Sequence, residues 1–192
     1  MFAEGEEEFY YFDSRFPYLP ELPKGVKLLE VSGSSIKLLP RLPEGLQILK
    51  ASNTPLEVLP DLPKSIEVLD CSHTLLADIP ELPESLQILY CHSIQNLKSL
   101  PALPAGLKKL YCGNTKLTCL PELPAGLEVL HIYETLIDKL PALPRGLKEL
   151  YCYSTPLHEL PELPPGFQVL YCYNTKIPTL PMLPYGIKEV YF

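Results

Sequence analysis

The chain lacks the features that mark membrane proteins, nucleic-acid-binding proteins and proteins exported by the Sec pathway. No stretch approaches the roughly 18 consecutive apolar residues of a membrane-spanning helix. The 23 Asp and Glu residues outnumber the 16 Lys and Arg residues, which form no cluster that would bind phosphate. The acidic N-terminus has no basic segment followed by an apolar one. We therefore expect no membrane span, no nucleic-acid partner and no Sec signal peptide.

Motifs of catalysis and cofactor binding are missing as well. No nucleophile, base and orienting acid share neighbouring positions, and no glycine loop for phosphate is present. His73 and His92 are spaced so that they can approach each other on adjacent strands, but no third ligand is in register with them. We expect no metal site, no cofactor and no enzymatic activity.

What the chain does contain is one short repeat. The motif Leu-Pro-x-Leu-Pro, with Ile once in place of the first Leu, occurs nine times and holds 18 of the 23 prolines. Successive copies are 20 residues apart, except for one step of 21. The copies begin at Leu19, Leu39, Leu59, Ile79, Leu100, Leu120, Leu140, Leu160 and Leu180. A fixed period of this length predicts one continuous solenoid.

Each repeat divides into a strand and an extended segment. In the repeat from Leu120, the apolar residues Leu127, Leu130 and Ile132 are separated by other side chains and end in strict alternation, which predicts a short strand. The proline motif cannot be helical, because proline lacks an amide donor and disfavours helical backbone at the preceding residue. We expect an extended, polyproline-like segment whose leucines face the core.

Two further positions of the repeat are chemically uniform. Glycine precedes the first strand leucine in seven repeats, with Ser65 and Ser85 in the other two, and we expect this turn to favour a positive φ. A hydroxyl follows the strand, at Ser34 and at threonine in most later repeats, where we expect it to bond the backbone of the neighbouring repeat. The 21-residue repeat has an extra residue between Cys91 and Leu97, which predicts a local bulge.

Five of the six cysteines fall in one inward strand column. They are Cys71, Cys91, Cys112, Cys152 and Cys172. Their spacing follows the repeat and not a metal or disulfide code, so we predict small buried apolar side chains. Cys119 lies outside the column. A reducing, intracellular setting fits these thiols better than the alternative of disulfides between stacked repeats.

The unit Leu-x-x-Leu-x-(Cys/Ile/Ala)-x-x-Thr-x-Leu, followed by Leu-Pro-x-Leu-Pro, resembles the leucine-rich repeat in its short bacterial LPX subtype. The resemblance covers residues 19 to 192 in nine copies, of which the last is incomplete. It implies a mainly β member of an α/β-type repeat class. Short parallel strands would line the concave face of a right-handed solenoid, and the extended proline segments would form its convex side.

The same resemblance has functional implications. Known members of this family are largely virulence effectors that are delivered into host cells, where the concave face binds a host protein. Some also carry a C-terminal ubiquitin-ligase domain with a catalytic cysteine. The resemblance therefore implies a protein made in the bacterial cytoplasm, secreted without a Sec signal and active in the host cytosol.

Residues that flank the buried strand leucines are expected to face solvent in two columns. The first outward column is Glu30, Lys50, Asp70, Tyr90, Tyr111, His131, Tyr151, Tyr171 and Tyr191. The second outward column is Ser32, Ser52, Ser72, His92, Gly113, Tyr133, Tyr153 and Tyr173. Both columns change from charged or hydroxyl side chains to tyrosine halfway along the chain.

The aromatic half of these columns is the candidate binding site, because tyrosine combines a large rigid contact area with a polar group. The residues predicted to bind a partner are Tyr90, His92, Tyr111, His131, Tyr133, Tyr151, Tyr153, Tyr171, Tyr173 and Tyr191. Two alternatives stay open. The tyrosines can stack as a cross-strand ladder that only stabilises the sheet, or they can reflect duplication of one repeat.

Both ends of a solenoid need a cover for the core. Residues 1–18 form an acidic, aromatic segment that we predict to be the N-terminal cap, with a translocation signal or a partner-binding tail as the alternatives. The aromatic residues expected to form the cap are Phe2, Phe9, Tyr10, Tyr11, Phe12 and Phe16. The C-terminus stops inside the ninth strand, which leaves self-association through that strand, a longer natural chain or fraying as alternatives.

These observations together predict a non-catalytic protein-protein interaction module that is a secreted effector or its repeat domain. Two other functions stay open. One is the substrate-recognition part of a bacterial ubiquitin ligase whose catalytic domain is missing from this chain. The other is a glycan-binding or adhesive surface protein, because aromatic faces also stack on sugars.

Overall fold

The computed structural model describes residues 7–12 and 17–192, and these stretches form one sheet of ten parallel strands. The strands lie in the sheet in chain order. They are β1 (Glu8–Tyr10), β2 (Leu28–Glu30), β3 (Ile48–Lys50), β4 (Val68–Asp70), β5 (Ile88–Tyr90), β6 (Lys109–Tyr111), β7 (Val129–His131), β8 (Glu149–Tyr151), β9 (Val169–Tyr171) and β10 (Glu189–Tyr191). None of the described residues is helical. The predicted mainly β solenoid is confirmed.

The register of the sheet places equivalent residues of successive repeats beside one another. Leu29 lies opposite Leu49, and Leu49 lies opposite Leu69. β5 keeps this register with both β4 and β6, so the sheet itself has no bulge at the 21-residue repeat. The extra residue is accommodated after the strand, and the stacked columns therefore continue across it.

The core is built from side chains that recur once per repeat. Val26, Leu29, Val31 and Ile36 are fully buried, and each begins a column of buried residues. The five strand-column cysteines belong to the column of Val31 and are buried, which confirms the prediction made for them. Burial raises the pKa of these thiols, as at Cys172, where it reaches about 11. All six thiols are free.

A tight turn connects each proline motif to the next strand. The amide of Leu46 donates to the carbonyl of Pro43 over 3.0 Å, and the other repeats form the same bond. Gly33 is the only described glycine with a positive φ, so the positive φ expected for the glycine column is wrong. At Gly106 the reason for glycine is space, because a Cβ would lie 3.0 Å from the carbonyl oxygen of Glu84.

The hydroxyl column bonds within its own repeat and not to the neighbouring one as expected. Thr54 donates to the carbonyl of Ala51 over 2.8 Å, and Thr135 donates to the carbonyl of Ile132 over the same distance. The chain turns directly after the strand, and this brings the hydroxyl closest to the carbonyl three residues earlier. In the 21-residue repeat a buried Ile94 replaces the hydroxyl.

The residue directly before the hydroxyl position, including Ser93 before Ile94, adopts left-handed backbone, which the sequence analysis did not anticipate. Its φ lies between 52° and 59° in the seven repeats where it is not glycine. These residues are Asn53, His73, Ser93, Asn114, Glu134, Ser154 and Asn174. The first repeat has Gly33 at this position, with a φ of 72°. Gly and Asn tolerate this backbone best, so their recurrence was the available signal.

The N-terminal segment adds β1 to the sheet ahead of the first repeat. Phe9 is buried opposite Leu29, and Glu7 forms a 2.7 Å ion pair with Lys27. Tyr10 and Phe12 are more than half exposed. Phe2 and Phe16 lie outside the described residues. The capping role of this segment stays a prediction.

Candidate functional site

Six rings of the first outward column form a continuous stack across the sheet, which we call the first ladder. In-register pairing of parallel strands places one ring on each strand from β5 to β10. The first ladder consists of Tyr90, Tyr111, His131, Tyr151, Tyr171 and Tyr191. Neighbouring centroids are 4.1 to 4.6 Å apart, close to the spacing of the strands themselves. The tyrosine pairs are nearly parallel, whereas the His131 ring is inclined to both neighbours.

Three tyrosines of the second outward column form a shorter stack, the second ladder. Tyr133 and Tyr153 are 4.9 Å apart at 5°, and Tyr153 and Tyr173 are 4.8 Å apart at 6°. His131 connects the two ladders, because its ring lies 6.3 Å from that of Tyr133. The two ladders therefore form one aromatic surface on the outward face of the sheet, in its C-terminal half.

One predicted site residue lies apart from the ladders. His92 belongs to the second outward column, but Gly113 separates it from Tyr133 and no ring stack bridges the gap. Its ring instead meets His73 edge to face, with centroids 5.1 Å apart. No group of three metal-ligating side chains occurs within residues 7–12 and 17–192. The structure thus brings nine of the ten predicted residues together and leaves His92 at the margin.

Six rings of the aromatic surface have pKa values that are shifted towards the neutral form. Burial, with a smaller effect of His92, lowers the pKa of His131 to about 4. Burial raises the pKa values of Tyr111, Tyr133, Tyr151 and Tyr153. Tyr171 donates a 2.9 Å hydrogen bond to Glu189, and this bond is the main cause of its raised pKa. These five phenols are therefore protonated at physiological pH.

The N-terminal half of the first outward column is charged and held by its neighbours. Lys50 lies 3.4 Å from Glu30. The Asp70 carboxylate accepts from the amide of Ser72 at 3.1 Å and from its hydroxyl at 2.6 Å. These contacts fix the carboxylate next to Tyr90, the first ring of the first ladder.

A third column on the same face escaped the sequence analysis. We call it the strand-start column, since it holds the first residue of each repeat strand: Leu28, Ile48, Val68, Ile88, Lys109, Val129, Glu149, Val169 and Glu189. The first four are aliphatic and half-buried. The signal was the strand alternation itself, because the residue two before an outward position shares its face.

Comparison with solved structures shows which known proteins share this fold. No protein-family model and no curated protein matches the chain. Among solved structures, YopM from Yersinia enterocolitica WA-314 is 34% identical with a TM-score of 0.89, and the match covers 91% of this chain. The chain belongs to the leucine-rich repeat proteins of the bacterial LPX type.

This leucine-rich repeat protein spans 39% of the length of that YopM chain. It is also similar to YopM, a leucine-rich effector protein from Yersinia pestis, at 26% identity and a TM-score of 0.58, over 96% of this chain and 71% of that one. A Shigella effector repeat domain matches at 22% identity and a TM-score of 0.63, over 97% of this chain and 81% of the other. At that identity the likeness concerns the fold alone. None of the described residues belongs to a helix long and apolar enough to cross a membrane.

Proposed function

We propose that the chain is a non-catalytic protein-recognition module of a secreted bacterial effector, and that it holds a host protein on the two aromatic ladders. The similarity to YopM, which is described as a leucine-rich effector protein, supports the effector assignment. Under this proposal the protein is made in the bacterial cytoplasm, is secreted and acts in the host cytosol.

The observation that carries the proposal is the preformed order of the aromatic surface. Each ring of the second ladder is held parallel to its neighbour within 6°. A side chain that is already ordered loses little conformational freedom on binding, so more of its contact energy appears as affinity. Neutral phenols also avoid the cost of desolvating a charge.

The same geometry favours a protein over a glycan. Sugars stack on the flat face of an aromatic ring, but inside the first ladder both faces of rings such as Tyr151 are covered by neighbours. What the ladders present to a partner is a row of ring edges and hydroxyl groups. Ring edges and hydroxyls suit the mixed apolar and polar surface of a protein.

The ubiquitin-ligase alternative gains no support from the described residues. The similar Shigella repeat domain is too distant in sequence to supply more than the fold. A recognition module without a catalytic step therefore accounts for the described residues with fewer assumptions.

The test is capture of partners from host-cell lysate on immobilised protein, with quantification by mass spectrometry. Replacing Tyr151, Tyr153, Tyr171 and Tyr173 by Ser is expected to remove the specific partner from the captured set. The matched control replaces Tyr18 and Tyr185 by Ser, because both are exposed and lie outside the ladders. Capture of the same partners by the four-tyrosine variant would refute the proposal.

A stability measurement separates binding from support of the sheet. Aromatic pairs contribute about 0.5–1.5 kcal/mol each beyond area burial. If the four-tyrosine variant is unfolded at assay temperature, the ladders are structural, and single Tyr153→Phe and Tyr171→Phe variants then decide the point. These keep the stack and remove only the hydroxyls, so loss of capture by them still assigns binding to this face.

A further inference from the structure

We infer that the partner element held on the concave face is a single basic amphipathic helix, lying along an apolar stripe that crosses the face obliquely. This inference rests on the proposed function and names the partner's chemistry. It depends on where apolar side chains stand in the strand-start column and in the first outward column.

In the middle of the sheet the apolar stripe moves from the strand-start column to the first outward column. From β2 to β5 the apolar side chains on this face are the half-buried residues of the strand-start column, beginning with Leu28 and ending with Ile88. From β5 to β10 they are the rings of the first ladder, beginning with Tyr90. The two parts join on β5, with Ile88 and Tyr90 on the same face. The stripe is therefore continuous.

The dimensions of the stripe match one helix. Nine strands at about 4.8 Å give a length of about 38 Å, and the step from the strand-start column to the first outward column is about 7 Å. A helix with its side chains is about 10–12 Å wide, and about 25 residues cover the length.

Backbone hydrogen bonding selects a helix over an extended peptide. The amides and carbonyls of the inner strands are used between strands, for example from Cys112 to His131 and from Cys152 to Tyr171. The face thus offers side chains but few free backbone groups. An extended peptide lying on it would leave its own amides and carbonyls unpaired, whereas a helix pairs them internally.

The charges beside the stripe favour a basic helix. Carboxylates stand on opposite sides of the stripe in the two halves, because the first outward column is charged before β5 and the strand-start column includes charged residues after it. They are Glu30 and Asp70 in the first outward column, and Glu149 and Glu189 in the strand-start column. Lys50 and Lys109 are the basic residues of these two columns. Lys or Arg on both flanks of a helix's apolar side would meet these carboxylates.

The test uses a defined probe, a fluorescein-labelled peptide of about 25 Leu and Lys residues with leucines at helical spacing. Its control is a peptide of the same composition in permuted order. Fluorescence anisotropy is expected to detect binding of the first peptide only. The variant Ile48→Thr with Val68→Thr is expected to weaken binding about tenfold through lost apolar contact.

The matched control variant is Leu38→Thr with Val58→Thr. Leu38 and Val58 are likewise aliphatic and paired across parallel segments of the chain, but they stand beside the proline motifs and outside the stripe. They are exposed, whereas Ile48 and Val68 are half-buried. This variant is expected to bind the helical peptide like the parent protein. Unfolding in urea, measured on all variants, verifies that each is folded.

Each remaining outcome counts against a specific claim. Equal binding of the permuted peptide, or no binding of the helical one, overturns the inference of a helix. If only the four-tyrosine variant loses the peptide, the aliphatic half is not part of the surface, and the inference fails while the proposed function stands. The four-tyrosine variant and the Ile48→Thr, Val68→Thr variant can also both bind the peptide like the parent protein. If host-partner capture nevertheless depends on the tyrosines, the partner is not a helix on this stripe. If capture is independent of the tyrosines as well, both proposals fail.

Discussion

The ring of Tyr133 lies directly over the backbone of Gly113. A Cβ at Gly113 would stand 2.7 Å from Cδ1 and Cε1 of that ring, a distance that real contacts do not reach. The first ring of the second ladder therefore packs directly against backbone. The absence of a side chain at Gly113 leaves the space that the Tyr133 ring occupies.

Replacing Gly113 with Ala is expected to push the Tyr133 ring out of the second ladder. Overpacking of this kind costs about 1–3 kcal/mol of unfolding free energy. Urea denaturation measures this loss, and the near-ultraviolet circular dichroism of the stacked tyrosines is expected to fall with it.

Two controls separate the ring clash from a general effect of alanine. At Gly45 an added Cβ meets nothing within 4 Å, so Gly45→Ala is expected to leave the spectrum unchanged. In a Tyr133→Ala background, Gly113→Ala is expected to cost little, because the clashing ring is gone. An undiminished cost in that background would show that the clash with Tyr133 is not the cause.

His131 is expected to make stability depend on pH between about 6.5 and about 4. Its pKa is about 4 in the folded protein against an ordinary value of 6.5, so the unfolded chain binds more protons in this window. The contribution is therefore complete above pH 6.5 and is lost as the pH falls towards 4. The expected change approaches about 1 kcal/mol per pH unit in the steepest part.

The variant His131→Tyr isolates this contribution. Tyrosine fits the stack between Tyr111 and Tyr151 and does not titrate in the window. Urea denaturation at a series of pH values is expected to give a flatter profile for the variant, with a residual slope from His92, whose pKa burial also lowers. Identical slopes in both proteins would exclude His131 as the source.

Left-handed backbone at Glu134 is expected to cost stability that Asn can recover. Glu134 has a φ of 53°, and side chains other than Gly and Asn lose roughly 1–2 kcal/mol there. Glu134→Asn is expected to raise the unfolding free energy by about 0.5 kcal/mol, measured from the urea midpoint. Glu122→Asn is the control, since Glu122 has no left-handed backbone, and an equal gain there would contradict the explanation.

Cys119 is expected to be the one thiol that reacts with Ellman's reagent in the folded protein. The other five are buried, and their raised pKa values suppress the reactive thiolate. All six are expected to react after unfolding in guanidinium. Cys119→Ser is expected to abolish the fast phase, and a fast phase of more than one thiol in the parent protein would contradict the burial.

The fold was predictable because the period of the sequence equals one coil of the solenoid. Leu29 and Leu49 occupy equivalent positions of the repeat and meet in register for that reason. The first ladder followed in the same way, since equivalent tyrosines must lie one strand spacing apart. The pattern of one repeat thus determined which residues share a column.

Details within one repeat were harder to predict, because periodicity does not specify local geometry. The hydroxyl of Thr54 bonds Ala51 in its own repeat, since a sharp turn after the strand brings the two together. The left-handed column was obscured by His73 and Glu134, which are unusual residues for that backbone. The aliphatic part of the strand-start column was overlooked because Ile48 and Val68 resemble core residues in composition.

The position of β5 bears on how this protein can change in length. Every repeat offers the same buried columns, so the loss of a whole repeat leaves a core that still packs. The outer surface is not interchangeable in this way. Removing the 21-residue repeat would set Val68 beside Lys109 and Asp70 beside Tyr111, and the aliphatic and aromatic halves would no longer meet. A protein shortened at that repeat would keep its fold and lose the continuity of its surface.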